Sequence, residues 1–235
     1  MEDDSTLHFC WLVDPWKKSR EQYLRAWQSA GWRCVLWHSG QLETVPDVPG
    51  LELRHVDEVV PGSLIEEVFT YELKHRSHAS CADLLRYLLV YTLGGAYCDI
   101  DVLPGLNASN ILVPQGPVFG SSYPRRLEIR FIRAPKEHPL LLAILKQAVL
   151  NEKMFKTKGG YSVLGYVSVM DRTGPVVADS VVEGYAKLRG ETIYDYIWNN
   201  ATFDYTDENR KEGHHLRVKE ILQSIPVPSW RTRRW

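Results

Sequence analysis

Two aspartates one residue apart, Asp99 and Asp101, close the part of this chain richest in reactive side chains, Cys81-Ala-Asp-Leu-Leu-Arg-Tyr-Leu-Leu-Val-Tyr-Thr-Leu-Gly-Gly-Ala-Tyr-Cys-Asp-Ile-Asp-Val102. Side chains alternate along a strand. If residues 96–102 are extended, Ala96, Cys98, Ile100 and Val102 form one apolar face, while Tyr97, Asp99 and Asp101 share the other. Two carboxylates then converge at one strand end. Burying such a pair is costly unless a cation or hydrogen-bond donors compensate it. Carboxylate oxygens suit Mn²⁺ or Mg²⁺, with a substrate diphosphate filling the remaining positions. An ion held there would stabilise the charge that grows on a departing nucleoside diphosphate.

These carboxylates need elements to position them. A helix is expected over about residues 79–93, which puts Asp83 and Arg86, three residues apart, on one face. Alone, that spacing is the spacing of a surface ion pair. Here the helix is otherwise apolar and feeds through Gly94-Gly95 straight into the Asp-x-Asp strand end. That context favours a binding role. An arginine beside a phosphosugar holds hydroxyls or phosphate oxygens through fixed donors, and Asp83 can accept from sugar hydroxyls. The glycine pair supplies the positive φ that ends a helix.

Upstream, residues 7–13 form an apolar run. Residues 17–30 place Tyr23, Leu24 and Trp27 on a helical period before Gly31, and residues 32–37 are β-prone again. Strand, helix, strand is the opening of an α/β sheet with parallel neighbours. Further strands are expected over 51–56, 118–122 and 127–133, and helices over 64–76, 139–151 and 176–188. No internal repeat or long linker divides the chain. The expectation is a single domain over 1–235 with a flexible segment at about 205–235.

Composition agrees with that reading. The chain has 235 residues, 44% of them hydrophobic and 24% charged, and a formal net charge of −1. A chain of this length buries roughly 70–75% of its unfolded surface, so disorder and disulfide scaffolds are excluded. The near-neutral balance argues against a nucleic-acid binder, which needs an extended excess of Lys and Arg. Only Arg231-Thr-Arg-Arg-Trp235 is locally basic. The N-terminal residues lack the pattern of a secretory signal, and no run is apolar enough to span a membrane. A soluble, cytoplasmic protein is expected, with peripheral membrane contact compatible and delivery to a host cell open if it acts as an effector. Cys10, Cys34, Cys81 and Cys98 lack metal-type spacing and read as buried free thiols. Asn107-Ala-Ser and Asn200-Ala-Thr would matter only in a secretory lumen. Trp16, Trp27, Trp32, Trp37 and Trp198 read as core or surface aromatics.

The helix, Gly-Gly turn and Asp-x-Asp end together resemble the DxD-type sugar-transferase region shared by fungal initiating α-mannosyltransferases and the catalytic domains of large clostridial glucosylating toxins. That pattern is roughly Asp-Leu-Leu-Arg-Tyr followed by Gly-Gly-x-Tyr-x-Asp-x-Asp. Every fixed position is present, at Asp83, Arg86, Tyr87, Gly94, Gly95, Tyr97, Asp99 and Asp101. The opening His8-Phe-Cys-Trp11 is similar to the family's first strand, and Thr173-Gly-Pro175 to a turn beside its sugar site.

The resemblance implies a GT-A fold, a UDP- or GDP-sugar donor, Mn²⁺ or Mg²⁺, and transfer of a hexose with retention of configuration. By position it implies that Trp11 stacks on the base, and that Asp83 and Arg86 hold the donor sugar. Tyr97 and Asp99 would touch ribose or sugar, and Asp99 and Asp101 would serve the metal, Asp101 directly. Retaining members are thought to let the departing phosphate take the acceptor proton, so no dedicated base is required. The C-terminal match is poorer. His214-His215-Leu216 departs from a His-His-Trp-like element, and a longer interval precedes Ser229-Trp230. His215 is nevertheless the expected third metal ligand, and Trp230 with Arg231 or Arg233 the expected cover over the diphosphate.

The acceptor is expected to be a glycan or glycolipid, which would place the protein in polysaccharide or glycolipid biosynthesis, with a protein hydroxyl as the alternative. A non-catalytic module that binds a sugar nucleotide or glycan is the alternative from another class. Asp99-Ile-Asp-Val-Leu103 also fits an aspartyl-phosphate phosphatase, but its nucleophile normally sits on the first strand. A two-carboxylate glycosidase is poorer still, because residues two apart on one strand cannot flank a scissile bond.

Overall fold

The computed structural model describes residues 5–12, 15–40, 45–104, 117–123, 126–161, 169–196, 203–205 and 216–217. Strand β1 (Thr6–Trp11) is followed by a 3-10 turn, helix α1 (Glu21–Ser29) and β2 (Arg33–His38). Next come β3 (Glu52–His55), α2 (Glu66–Lys74), α3 (His78–Leu93), β4 (Ala96–Cys98) and β5 (Val102–Pro104). The chain continues through β6 (Val118–Tyr123), β7 (Arg126–Arg133), α4 (Pro139–Thr157), the single turn α5 (Val169–Arg172) and α6 (Pro175–Arg189). Short strands β8 (Phe203–Tyr205) and β9 (Leu216–Arg217) complete it.

Six strands form one sheet in the order β3-β2-β1-β4-β7-β6, in which β1 to β4 run parallel and β7 lies antiparallel to both β4 and β6. The expected α/β architecture, mostly parallel and flanked by helices, is therefore present. From β1 the chain moves outward to β2 and β3, then crosses back to place β4 on the other side of β1. Such a reversal opens a crevice beyond the carboxyl ends of the two central strands, where α/β sheets bind ligands. Trp11 ends β1 there, and Asp99 follows β4.

Each face of the sheet is covered. On one side Leu24 and Trp27 of α1 pack on Leu7, Phe9, Leu36, Ala96, Cys98 and Phe131. On the other, α2, α3, α4 and α6 cover Val35, Trp37, Tyr97 and Ile132. Trp27 is fully buried, and its Nε1 donates to the carbonyl of Val102 at 2.8 Å. Truncating a buried tryptophan to alanine costs about 3–5 kcal/mol. Here it would also release the backbone next to Asp101.

Three expectations need correction. The extended run over 96–102 is not one strand: β4 stops at Cys98, where the Asp99 amide donates to the carbonyl of Arg130 at 2.8 Å. A turn then closes from the Val102 amide to the Asp99 carbonyl at 3.1 Å, and β5 pairs with β8 in a separate three-stranded sheet. The aspartates therefore occupy a turn between two sheets. Ala96, Cys98, Ile100 and Val102 still enter one apolar cluster, as the alternation predicts. The second correction is that α4 runs on to Thr157 rather than stopping near 151. Glu152, just past the expected end, is buried on the same face as Ala148 and Phe155, one turn to either side. The third is that Cys10 is only half-buried, whereas Cys34, Cys81 and Cys98 are buried; all four are free thiols.

The turn into β4 explains its glycines. Gly94 and Gly95 both have positive φ, +74° and +75°, and a Cβ on Gly95 would lie 2.5 Å from the Thr6 carbonyl oxygen. His8 locks the turn from β1. Trp37 Nε1 donates to its Nδ1 at 3.2 Å, which leaves Nε2–H for the Gly94 carbonyl at 3.3 Å. Burial pushes the His8 imidazole down to about 4, so the ring that fixes this turn is neutral at physiological pH.

Trp16, Trp27, Trp32 and Trp37 are buried, as expected of packing aromatics. Trp198 and both Asn-x-Ser/Thr triplets lie outside the described residues, as does the segment at about 205–235 apart from Tyr205 and β9. Among the described residues no helix is long and apolar enough to cross a membrane.

Candidate active site

Asp83 and Arg86 sit on α3, whose run from Cys81 to Val90 is buried except at Ala82, so both charged groups are carried inside. One turn of helix separates them. Arg86 Nη2 lies 3.0 Å from Asp83 Oδ1 and 3.3 Å from Asp99 Oδ1. Its Nη1 donates to the Ile129 carbonyl on β7 at 2.9 Å, and its Nε to the Ala82 carbonyl at 3.3 Å. A guanidinium has five N–H groups, so this geometry commits four of them internally. A single N–H on Nη1 is left. Arg86 therefore orients two carboxylates first, and offers a ligand much less than its sequence position suggests. Its charge is secure, because the neighbouring aspartates hold it well above the usual guanidinium range despite burial.

Tyr97 fills the space beneath. Its hydroxyl donates to Asp99 Oδ1 at 2.9 Å, lies 3.2 Å from Cys10 Sγ, and its ring faces the Arg86 guanidinium at 4.9 Å. Burial holds the phenol well above its usual range and the Cys10 thiol up at about 11, so both stay protonated. The contacts of Asp99 with Arg86 and Tyr97 use Oδ1, which leaves Oδ2 without a partner among the described residues. The Asp99 side chain is 25% exposed, whereas Asp83 and Arg86 are nearly sealed. The open side of the cluster is thus at Asp99.

Asp83 is braced from its other oxygen, where Thr173 Oγ1 donates to Oδ2 at 3.1 Å. Burial pushes the Asp83 carboxyl up to about 6; Arg86 opposes that rise, and the nearby Asp99 charge adds to it. Tyr87, on the same helix, donates its hydroxyl to the Thr173 carbonyl at 3.1 Å. The Thr173-Gly-Pro175 turn is therefore held directly against the Asp83 helix.

Asp101 is likewise shifted upward, first by burial and then by repulsion from Asp99, with Arg130 and Arg20 opposing. A carboxylate raised by burial and by the charge of its neighbour is the donor set a divalent oxygen-liganded cation relieves. The residues present thus fit such an ion in part. Among the described residues no group of three or more His, Cys, Asp or Glu comes together, so further ligands must come from elsewhere. His214, His215, Trp230, Arg231 and Arg233 lie outside the described residues. Trp11 stands at the carboxyl end of β1 but packs edge-on against Trp16, ring centroids 5.1 Å apart, on the α1 side of the sheet. The structure therefore gathers Asp83, Arg86, Tyr97 and Asp99 into one contact network and places Asp101 within its field.

Sequence reasoning missed the contact of Cys10 with Tyr97, Thr173's direct bond to Asp83, and the charges of Arg20 and Arg130 that act on Asp101. Local spacing carries no signal for Arg20 and Arg130, which come from a 3-10 turn and from β7.

A mostly parallel six-stranded sheet of this order, flanked by helices, is a fold of the GT-A type. Residues 16–116 match the family described as glycosyltransferase sugar-binding region containing DXD motif, so the resemblance drawn from residues 83–101 is borne out. The inositol phosphoceramide mannosyltransferase 3 of Schizosaccharomyces pombe is 29% identical over 118 residues, which are 50% of this chain and 31% of that protein. The chain thus aligns with about a third of that relative's length. Among solved structures, the UDP-bound glycosyltransferase domain of the YGT toxin superposes with a TM-score of 0.62 at 12% identity, covering 85% of this chain and 80% of that one. The catalytic domain of alpha-toxin from Clostridium novyi gives 0.56 at 10% identity, covering 97% and 80%.

Proposed function

We propose that this protein transfers a hexose from a nucleoside-diphosphate sugar to a glycan or glycolipid acceptor, with retention of configuration. The observation that carries the reading is the linked group Asp83–Arg86–Asp99 at the carboxyl end of the central strands. It combines a buried carboxylate for sugar hydroxyls with a partly exposed one for an incoming cation. Asp99 and Asp101 would hold Mn²⁺ or Mg²⁺, with His215 as a further proposed ligand, and the ion's chemistry there is to offset charge on the leaving diphosphate.

The chain's own residues do the rest. Arg86 fixes the carboxylates of Asp83 and Asp99 in one arrangement before any donor arrives, which removes part of the ordering cost of binding. Asp83 accepts from donor-sugar hydroxyls once ionised. Tyr97 keeps Asp99 oriented through its protonated hydroxyl. Trp11 supplies an aromatic plate for the base, and Trp230 would cover the diphosphate. No protein base is assigned, in keeping with transfer in which the leaving phosphate receives the proton.

The glycolipid acceptor is favoured because the name of the fungal relative contains a sphingolipid headgroup. A protein hydroxyl is the second reading, favoured by the toxin domains that share the fold. Purified protein with Mn²⁺ and a panel of UDP- and GDP-sugars should release nucleoside diphosphate, and Asp101→Ala should abolish the release. Transfer to inositol-phosphate sphingolipids against transfer to proteins then separates the acceptors. Tight donor binding without hydrolysis or transfer would instead select the non-catalytic module, and folded protein without turnover on the whole panel would refute the enzymatic reading.

A further inference from the structure

A second buried arginine lies behind the first. Arg172, at the end of α5 and 4% exposed, meets two carboxylates that are more deeply buried still, Glu72 of α2 at 0% and Glu152 of α4 at 1%. Its Nη1 is 2.7 Å from Glu152 Oε2 and 3.3 Å from Glu72 Oε1. Its Nη2 reaches Glu72 Oε2 at 3.4 Å, Ser80 Oγ at 3.3 Å and the Tyr161 hydroxyl at 2.9 Å. Tyr161 in turn donates to Glu72 Oε2 at 2.6 Å, and the Phe155 ring lies 4.1 Å from the guanidinium. Helices α2, α3 and α4 all converge on this one side chain.

The next residue along the chain is Thr173, the partner of Asp83 and of Tyr87. The main chain at this point is pinned again by Asn151, whose Nδ2 reaches the carbonyls of Asp171 and Arg172 at 3.3 and 3.2 Å. A buried ion cluster is a poor way to gain stability, since well-packed apolar side chains of equal volume do as well or better.

We propose that the Arg172–Glu72–Glu152 cluster is a positioning device for Asp83: it anchors the main chain at residue 172 so that Thr173 presents its hydroxyl to the donor-sugar carboxylate. The role assigned to Asp83 rests on the functional reading above. The anchoring itself does not.

One guanidinium faces two sealed carboxylates, so charge balance requires a proton on the pair. Glu152 Oε1 is closed to solvent and receives no N–H or hydroxyl among the described residues, and Glu152 lies within hydrogen-bond reach of Glu72, so the proton belongs between these two carboxylates. In agreement, burial first and the Glu72 charge second push Glu152 up to about 8, against the pull of Arg172. The ionisable groups facing it from the packed elements are Glu72 on α2, Cys81 on α3, Arg172 on α5 and Tyr161. Because the folded state holds the proton more tightly than the unfolded chain does, this group's contribution to stability is full at acid pH. It declines as pH rises from the ordinary carboxylate range towards 8.

The test uses the full chain with two substitutions and two readouts. Hydrogen-exchange protection at the Thr173 and Gly174 amides, corrected for intrinsic pH dependence, needs no donor. Donor hydrolysis over about pH 6–9.5 reports KM and kcat separately. Arg172→Lys keeps the charge but loses the planar fork. It should cut protection and raise donor KM by about tenfold each, with kcat within about threefold. Glu152→Gln carries an N–H where the acid carries O–H. It should stay within about twofold of wild type at pH 7 and, unlike wild type, keep protection and KM constant above pH 8. Arg172→Lys protein that melts lower yet keeps wild-type protection and KM would overturn the proposal, as would Glu152→Gln protein that fails at pH 7 as Arg172→Lys does. If no donor is turned over by wild type, the functional reading falls, and the exchange result still decides the anchor.

Discussion

Arg86 and Arg172 each bind two carboxylates, yet one cluster opens to water and the other does not. Around Arg86, Asp99 is 25% exposed, and its Oδ2, which has no partner among the described residues, is open to a ligand. Around Arg172, Glu72 and Glu152 are sealed, and the surplus charge is answered by a retained proton rather than by solvent or a ligand. Equal composition therefore gives unequal roles. A buried charge with an open side can be completed by a substrate or ion, whereas one with no open side can only hold parts of the fold together. Thr173, bonded to Asp83 and next in the chain to Arg172, joins the two, and on the proposal above the open cluster is positioned from the sealed one.

The largest expected effect lies on the open side. Asp101→Ala and Asp99→Ala should each lower donor hydrolysis by about 10²-fold or more, the scale for losing a group that stabilises transition-state charge. Asp101→Asn should at the same time leave melting temperature unchanged or slightly raised, because the fold disfavours the ionised form of Asp101. A large loss of stability in that variant would make Asp101 a structural residue and erase the contrast.

Next in size are the arginines. Removing one partner of a buried pair typically costs about 3–5 kcal/mol. Arg172→Ala should sit at the top of that range and Arg86→Ala below it, since Asp99 can regain water and Glu72 cannot. Denaturant unfolding of both variants checks the order, and a reversed order would break the comparison. Gly95→Ala should follow, at about 1–3 kcal/mol, because its Cβ would stand 2.5 Å from the Thr6 carbonyl in a positive-φ conformation.

A smaller effect is expected in the pH profile. Asp83 is raised to about 6, so in the free protein it is mostly protonated below that pH and ionised above it. Donor kcat/KM should rise as pH increases through about 6, falling roughly tenfold by one unit below, and Asp83→Asn should remove that step. Smallest of all is the exposed pair of Glu67 with Lys153 and Lys156. Glu67→Gln should leave thermal melting unchanged at physiological salt, as solvent-screened ion pairs do.

Local chemistry in the sequence reached a long way into this molecule. The Gly94-Gly95 turn, the apolar alternation of Ala96, Cys98, Ile100 and Val102, and the shared face of Asp83 and Arg86 all follow from short-range periodicity and backbone sterics. Those forces act within a few residues, so they are legible without a fold. The mostly parallel sheet followed too, from the spacing of strands and crossovers.

What only the tertiary structure decided are the quantities set by distant partners. The Asp99 amide still reaches the Arg130 carbonyl of β7, but the turn from Asp99 to Val102 then carries the chain into a second sheet, where β5 finds β8. The Ile129 carbonyl takes a donor of Arg86 that sequence spacing had left for substrate. Glu152, one residue beyond the helix expected over 139–151, is a core residue because Arg172 arrives from another element to pair with it. Solvent exposure and charge state depend on everything packed within a few ångströms, and most of those neighbours lie tens of residues away along the chain.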